Sequence, residues 1–225
     1  TWPTARSQQV GPWTIREGQD GGQRVSAATA NGPFTAKDLP VAEDAMRALG
    51  QPCLFMIREG DEALDMLLAE KGYEIKDPVT MYVAPVEDLM TEVPPRTAAI
   101  QAWEPLKIME EIWQTGGIGP GRLAVMARAS TPKTGFISRW QDKPAAASFC
   151  AIHDKIAMVH ALEVLPFQRR QGVARWIMLR AAYWAHAQGA THLSVICTTA
   201  NTAANRLYAS LGMHVVGQYH YRIQK

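Results

Sequence analysis

Residues 156–174 read Ile-Ala-Met-Val-His-Ala-Leu-Glu-Val-Leu-Pro-Phe-Gln-Arg-Arg-Gln-Gly-Val-Ala. The branched, apolar opening from Ile156 to Leu165 predicts a buried strand. Pro166 has no N–H to give to a ladder and ends it. A basic turn and Gly172 follow, and an apolar-periodic segment over 174–188 predicts a helix. This order has chemical meaning. The first amides of a helix lack intrahelical partners, and the helix dipole adds partial positive charge there. Gly172 lets a ligand approach the backbone closely, and Arg169 and Arg170 add charge-assisted donors. Arg169, Arg170, Gln171, Gly172, Val173 and Ala174 therefore make a candidate phosphate-binding loop.

The spacing Arg169-x-x-Gly172-x-Ala174 resembles the Gln/Arg-x-x-Gly-x-Gly/Ala signature of the GCN5-related N-acetyltransferases, the GNAT superfamily. Downstream, Asn201-x-x-Ala204-x-x-Leu207-Tyr208-x-x-Leu211-Gly212-Met213 resembles that family's Asn-x-x-Ala-x-x-Leu-Tyr-x-x-Leu-Gly-Phe segment, with Met213 in place of Phe. The two segments stand in the family's order and separation, with a strand-like stretch over 192–198 between them. The resemblance covers residues 135–225. It implies an α/β (α+β) fold: a mixed, mainly antiparallel sheet flanked by helices. It also implies acetyl-coenzyme A as co-substrate and a primary amine of a small molecule or peptide as acceptor. Leu162, Val164 and Leu165 would offer backbone groups to the pantetheine and thioester, and the amides of 169–174 would take the pyrophosphate. Asn201 matches the family's pantetheine-contacting position, although Asn is also a good helix N-cap. Asn205 follows on the same helix start. Tyr208 matches the family's general acid, although a tyrosine on a helix is usually core packing.

An attacking amine needs a lone pair, and a lysine-type amine is mostly protonated at neutral pH. A base or a water chain must take the proton. Glu163 is the carboxylate on the predicted central strand, and it either serves as that base or turns away into a salt bridge. His160 on the same strand is a candidate helper, or a satisfied strand histidine.

A chain of 225 residues suits one large domain or two small ones. The net charge of +2 hides an asymmetry. Residues 1–97 carry 9 Lys and Arg against 15 Asp and Glu, and residues 98–225 carry 14 against 6. The basic half holds the loop, which suits a polyanionic co-substrate or a merely solvated face. No basic run with interleaved aromatics points to nucleic acid. No apolar run is long enough for a membrane span, and residues 1–13 lack the apolar core of a signal peptide. Cys53, Cys150 and Cys197 are few and widely spaced, as in a reducing compartment without a disulfide framework. A cytoplasmic protein, monomer or homodimer, is expected. The histidines and cysteines show no metal-ligand spacing.

An internal repeat is visible at an offset of 140 residues. Residues 53–58 fall on 193–198, Leu67-Leu68 on Leu207-Tyr208, Gly72 on Gly212 and Gly32 on Gly172. The first copy lacks the basic loop and the tyrosine: Thr29 and Ala30 stand where Arg169 and Arg170 do, Asp61 for Asn201 and Leu68 for Tyr208. Residues 1–93 are thus expected to be a degenerate GNAT-like half, with Pro94-Pro95 in the linker, and 94–225 the acetyltransferase domain. Within the first half, 13–17 and 24–30 read as strands around the Asp20-Gly21-Gly22 turn, 41–49 and 61–71 as helices, and 53–58 and 73–83 as strands. Within the second, 106–114 reads as a helix, the Gly-rich stretch 116–121 as a substrate-facing or merely flexible loop, and 122–128 as helix or strand. Residues 134–139 and 145–152 read as strands around a turn at 142–144. An enzyme using another acyl-coenzyme A, a non-catalytic acyl-coenzyme A-binding module and an interaction scaffold are the competing functions.

Overall fold

The computed structural model describes residues 1–224. In chain order its elements are β1 (Arg6–Val10), β2 (Trp13–Glu17), α1 (Gln23–Ser26), β3 (Thr29–Ala30), α2 (Leu39–Ala48), β4 (Leu54–Ile57), α3 (Glu62–Glu70) and β5 (Glu74–Pro85). Then come β6 (Ile100–Ala102), α4 (Lys107–Thr115), α5 (Pro120–Arg128), β7 (Lys133–Trp140), β8 (Lys143–His153), β9 (Ile156–Val164), α6 (Val173–Ala187), β10 (His192–Thr198), α7 (Thr202–Ser210) and β11 (His214–Ile223). Strands β1–β3 form a small sheet, and the other eight form one large sheet in the order β4-β11-β5-β10-β9-β8-β7-β6. Its ladders are antiparallel except β9 with β10. This is the mixed, mainly antiparallel sheet with flanking helices that the family resemblance implies.

Side-chain alternation along β8 explains the layers. Ala146, Cys150 and Ile152 pack with Ile177, Met178 and Ala181 of α6 on one face. Ala147, Phe149 and Ala151 pack with Met109, Ile112 and Trp113 of α4 on the other. The run Ala145-Ala146-Ala147 is fully buried, so small side chains let helices approach both faces.

Two local expectations change. Residues 24–30 are not one strand but the short helix α1 and the two-residue β3. Gly22 at φ 95° sets the entry into α1, and its carbonyl accepts from Ser26 Oγ at 3.0 Å, which closes a helical turn there. The β7–β8 hairpin turns at Gln141-Asp142, both left-handed (φ 48° and 60°), so Lys143 and Pro144 already belong to β8. Residues 122–128 are helical, within α5. The strand expected over 73–83 is one continuous β5 with a register shift at Asp77-Pro78, where Asp77 takes φ 43°.

The large sheet interleaves the two halves of the chain, and its register repeats at the 140-residue offset seen in the sequence. Ser194 faces Val83, Val195 Tyr82, Ile196 Met81 and Cys197 Thr80 in the β10–β5 ladder. Moving each partner by 140 positions gives Leu54 with Ile223, Phe55 with Arg222, Met56 with Tyr221 and Ile57 with His220, which are the four pairs of the β4–β11 ladder. In the β5–β11 ladder the pair Val79–Tyr219 maps onto itself.

Candidate active site

Strands β9 and β10 pair only from Ile156–His192 to Val159–Val195. Beyond that point β9 stays with β8, and β10 stays with β5. The two strands separate and leave a cavity of about 710 Å³ between them. A bulge starts the divergence. The β8–β9 register shifts between Ala147 and Phe149, and Ala161 opposite takes φ 51°. A left-handed alanine costs about 1–2 kcal/mol and persists only where the surroundings impose it. Here the fully buried Trp113 of α4 donates from Nε1 to the Ala161 carbonyl at 2.8 Å. The bulge bends the strand and re-aims the residues that follow.

At the far end of the cavity lies the basic loop. Arg170 and Gly172 are both left-handed, at φ 64° and 74°, with Gly172 as the N-cap of α6. Alternating backbone signs of this kind turn successive N–H groups toward one concave side. No side chain caps the helix, and its first bond runs from the Trp176 N–H to the Gly172 carbonyl. The amides before Trp176 are therefore available to an anion. Gln168, Arg169, Arg170 and Val173 line the cavity. Gln171 and Gly172 are exposed, and Ala174 sits behind them as the next helical residue.

The strand residues divide. Leu162 and Val164 line the cavity. The Leu165 N–H already bonds the Ala145 carbonyl at 2.9 Å, and the Val164 carbonyl accepts from Arg169 Nε at 3.1 Å. Glu163 lines the cavity with its carboxylate 3.3 Å from Arg169 Nη2. It lies so close to Gly116 that a Cβ there would come within 2.5 Å of Glu163 Oε2. The salt-bridge geometry and the cavity-facing position thus coexist at this residue.

On the opposite wall, Asn201 caps α7, its Oδ1 accepting from the Ala204 N–H at 3.1 Å, and it also lines the cavity. Asn205 is used inside the fold. It donates to the carbonyls of Thr198 and Asn201 at 3.1 and 2.8 Å and accepts from Tyr82 Oη at 2.7 Å. Tyr208 lines the cavity with 4% of its surface exposed and its ring 5.5 Å from that of Tyr82. Burial, with Cys197 and Tyr82 nearby, pushes its pKa above the ordinary tyrosine range, so the hydroxyl keeps its proton. Among the described residues that hydroxyl has no hydrogen-bond partner.

His160 is buried beside the bulge. Its Nδ1 is 3.1 Å from Arg24 Nη1. A guanidinium only donates, so Nδ1 accepts and the remaining proton is on Nε2. Burial first, and then the Arg24 charge, hold its pKa well below the ordinary histidine value. The imidazole is neutral, and its accepting nitrogen is engaged. Arg24, Trp113 and Tyr82 carried no motif signal. They could only have been found by knowing which segments the sheet brings together. Among the described residues no cluster of His, Cys, Asp and Glu could hold a metal ion, and no helix is long and apolar enough to cross a membrane.

The model of the Acetyltransferase (GNAT) family matches residues 102–213, which span the bulge, the basic loop and Tyr208. The chain belongs to the GNAT superfamily. The GNAT chain is also similar in fold to solved structures. A GCN5-related N-acetyltransferase from Kribbella flavida is 19% identical with a TM-score of 0.74, over 98% of this chain and 90% of that one. A functionally unknown conserved protein from Staphylococcus epidermidis is 14% identical with a TM-score of 0.73, over 98% and 94%. A tandem GNAT protein from the clavulanic acid biosynthesis pathway is 11% identical with a TM-score of 0.64, over 88% and 74%. No curated protein matches the sequence. The GNAT family uses acetyl-coenzyme A as co-substrate, and acyl transfer is its general activity.

Proposed function

We propose that this GNAT protein transfers the acetyl group of acetyl-coenzyme A to a primary amine of a small molecule or peptide. The observation that supports the reading best is the continuous cavity between β9 and β10. It runs from an uncapped, arginine-bearing helix N-terminus to Tyr208, a buried residue whose hydroxyl has no hydrogen-bond partner among the described residues. Pyrophosphate would lie on the loop of residues 169–174, and the pantetheine arm along Leu162, Val164 and Asn201.

The chemistry asked of the chain is proton handling. The amine nitrogen forms its bond to the acyl carbon as the carbon–sulfur bond breaks. Glu163, directly or through water, takes the amine proton, and Arg169 holds that carboxylate in place. Tyr208 gives a proton to the departing sulfur and recovers one from solvent. Burial raises its pKa, so the hydroxyl carries its proton at neutral pH and is in place to hydrogen-bond the departing sulfur.

In the same reading the chain is two related units, 1–93 and 94–225, of which the second binds the co-substrate. Titration calorimetry with acetyl-coenzyme A tests it, together with thiol release across a panel of amines. One site per chain with release for some amine is the expected outcome. A stoichiometry near two would overturn the division of labour. Tight binding with no release for any amine would favour a non-catalytic module.

A further inference from the structure

A second cavity, of about 270 Å³, opens on the other side of the bulge. His160 and Ala161 line both it and the co-substrate cleft, so the two spaces meet at the place where the thioester would lie. Its remaining walls come equally from the first and second halves of the chain. Gln23, Arg24 and Asp77 line it together with Arg122 of α5. The two Gly-rich stretches build this junction together. A Cβ on Gly121 would come within 2.5 Å of the Asp20 carbonyl oxygen, and one on Gly21 within 2.4 Å of Val125. The Arg122 guanidinium lies over Gly22, where an added Cβ would be 3.4 Å from its Nε.

Both arginines are unusual. Neither has a carboxylate partner among the described residues. Arg24 spends Nη1 on His160, lies over the Trp2 ring and keeps a buried Nε without a hydrogen bond. His160, 5% exposed, likewise keeps Nε2 without one. Buried donors are normally satisfied, and a pair of unpaired guanidinium groups in one wall suits an oxyanion. Asp77, held by Gln23 at 2.7 Å, stands in the same wall and disfavours a dianion.

Building on the acetyl-transfer reading, we propose that the acceptor is a small amine that carries a carboxylate, an amino acid or the end of a short peptide. Arg24 and Arg122 hold that carboxylate while the amine reaches past His160 to the thioester. His160 is a positioning residue here: it fixes the Arg24 guanidinium.

The test uses the whole chain at saturating acetyl-coenzyme A. Thiol release is measured for amino acids and short peptides, each paired with its C-terminal amide and its aminophosphonate analogue. The acids should show kcat/KM about 10- to 100-fold above the amides, the range for a charge-assisted contact. Arg122→Gln should shrink that preference to within about threefold and leave acetyl-coenzyme A affinity as it is. Amides used as well as acids, phosphonates preferred over carboxylates, no acetylation of any carboxylate-bearing amine, or an Arg122→Gln variant with its preference intact would each overturn the proposal. The comparison of acids with amides needs no variant, so a poorly folding Arg122→Gln leaves it decisive. Calorimetry separates the two levels. Failure to bind acetyl-coenzyme A overturns the transfer reading itself, and the acceptor assignment with it.

Discussion

Replacing Gly172 by Glu places one negative charge at the centre of the proposed pyrophosphate loop. A Cβ there would meet only Trp176 Nε1, at 3.8 Å, which is ordinary contact, so the site has room. The cost to the fold is backbone strain, since Gly172 sits at φ 74°. For an L residue that is about 1–2 kcal/mol. In a chain of this size each kcal/mol lowers Tm by roughly 2–4 °C, so the variant should fold and melt a few degrees lower. The cost to binding is larger. A carboxylate about 5 Å from one phosphate charge is repelled by roughly 0.8–3.3 kcal/mol for effective dielectrics between about 80 and 20. That weakens binding about 4- to 250-fold, at about 1.4 kcal/mol per tenfold. Gly172→Ala carries the same strain without the charge and separates the two effects. Titration calorimetry on both variants, after circular dichroism to confirm folding, is the measurement. Alanine should lose the few degrees of Tm and little affinity, and glutamate should lose both. A folded Gly172→Glu protein that binds acetyl-coenzyme A as tightly as the parent would remove the loop from the site.

Tyr208→Phe should lower kcat and kcat/KM together by about 10²-fold, the low end for acid assistance, with Tm unchanged because the hydroxyl gives up no protein hydrogen bond. Steady-state kinetics at the parent rate would reduce Tyr208 to packing. Glu163→Gln should lower kcat near neutral pH and recover part of it at high pH, where the free amine is more abundant; a flat, unreduced profile would assign the proton to water. Asp65 bonds Arg222 and His220, which hold its pKa below the ordinary carboxylate range, Arg222 foremost. The depressed value means its stabilisation is present above about pH 4 and is lost as pH falls through the folded value. Asp65→Asn should therefore cost ~1 kcal/mol at pH 7, allowing for solvent screening at this half-buried site, and the two proteins should converge in denaturant titrations as the pH falls through the folded value. Residues 94–225 expressed alone should bind acetyl-coenzyme A poorly although they contain every motif residue, and parent-like affinity would refute that.

The site was legible where chemistry is local. The order of β9, loop, α6, β10 and α7 follows from apolar periodicity, the glycine and the spacing of Asn201 and Tyr208. It failed where a feature depends on distant partners. β1, Arg-Ser-Gln-Gln-Val, is a polar edge strand whose ladder partner among the described residues is β2, and its side chains show little strand preference. Ala161 has no preference for a left-handed backbone, and the indole that pins it lies 48 residues earlier. Arg24 falls in the stretch 24–30 that the Asp20-Gly21-Gly22 turn marks as a strand. The turn at Gly21-Gly22, pressed against α5, closes a helical turn there instead. Asn205 fits the motif as a ligand residue, yet its amide is consumed by the backbone at the end of β10 and by Tyr82.

The repeat explains why that consumption matters. Counting 140 residues back, Asn205 corresponds to Asp65, and counting 140 forward, Tyr82 corresponds to Arg222. The contact of Tyr82 with Asn205 is thus the image of the contact of Arg222 with Asp65. In each case a helix side chain grips a strand contributed by the other half of the chain. β5 passes from the first half into the ladder of β10, and β11 returns from the second half to the ladder of β4. One grip is ionic and lies far from any chemistry. The other stands directly behind Tyr208, whose ring packs on Tyr82. Residues 1–93, which carry neither the loop nor the tyrosine at that offset, are therefore still bound into the candidate site. They supply the strand that holds β10 away from β9, the ring behind the proposed acid and, through Arg24, a guanidinium at the mouth of the cleft. Residues 1–93 carry no basic loop at that offset. In the proposed reading they still shape the place where the amine would arrive.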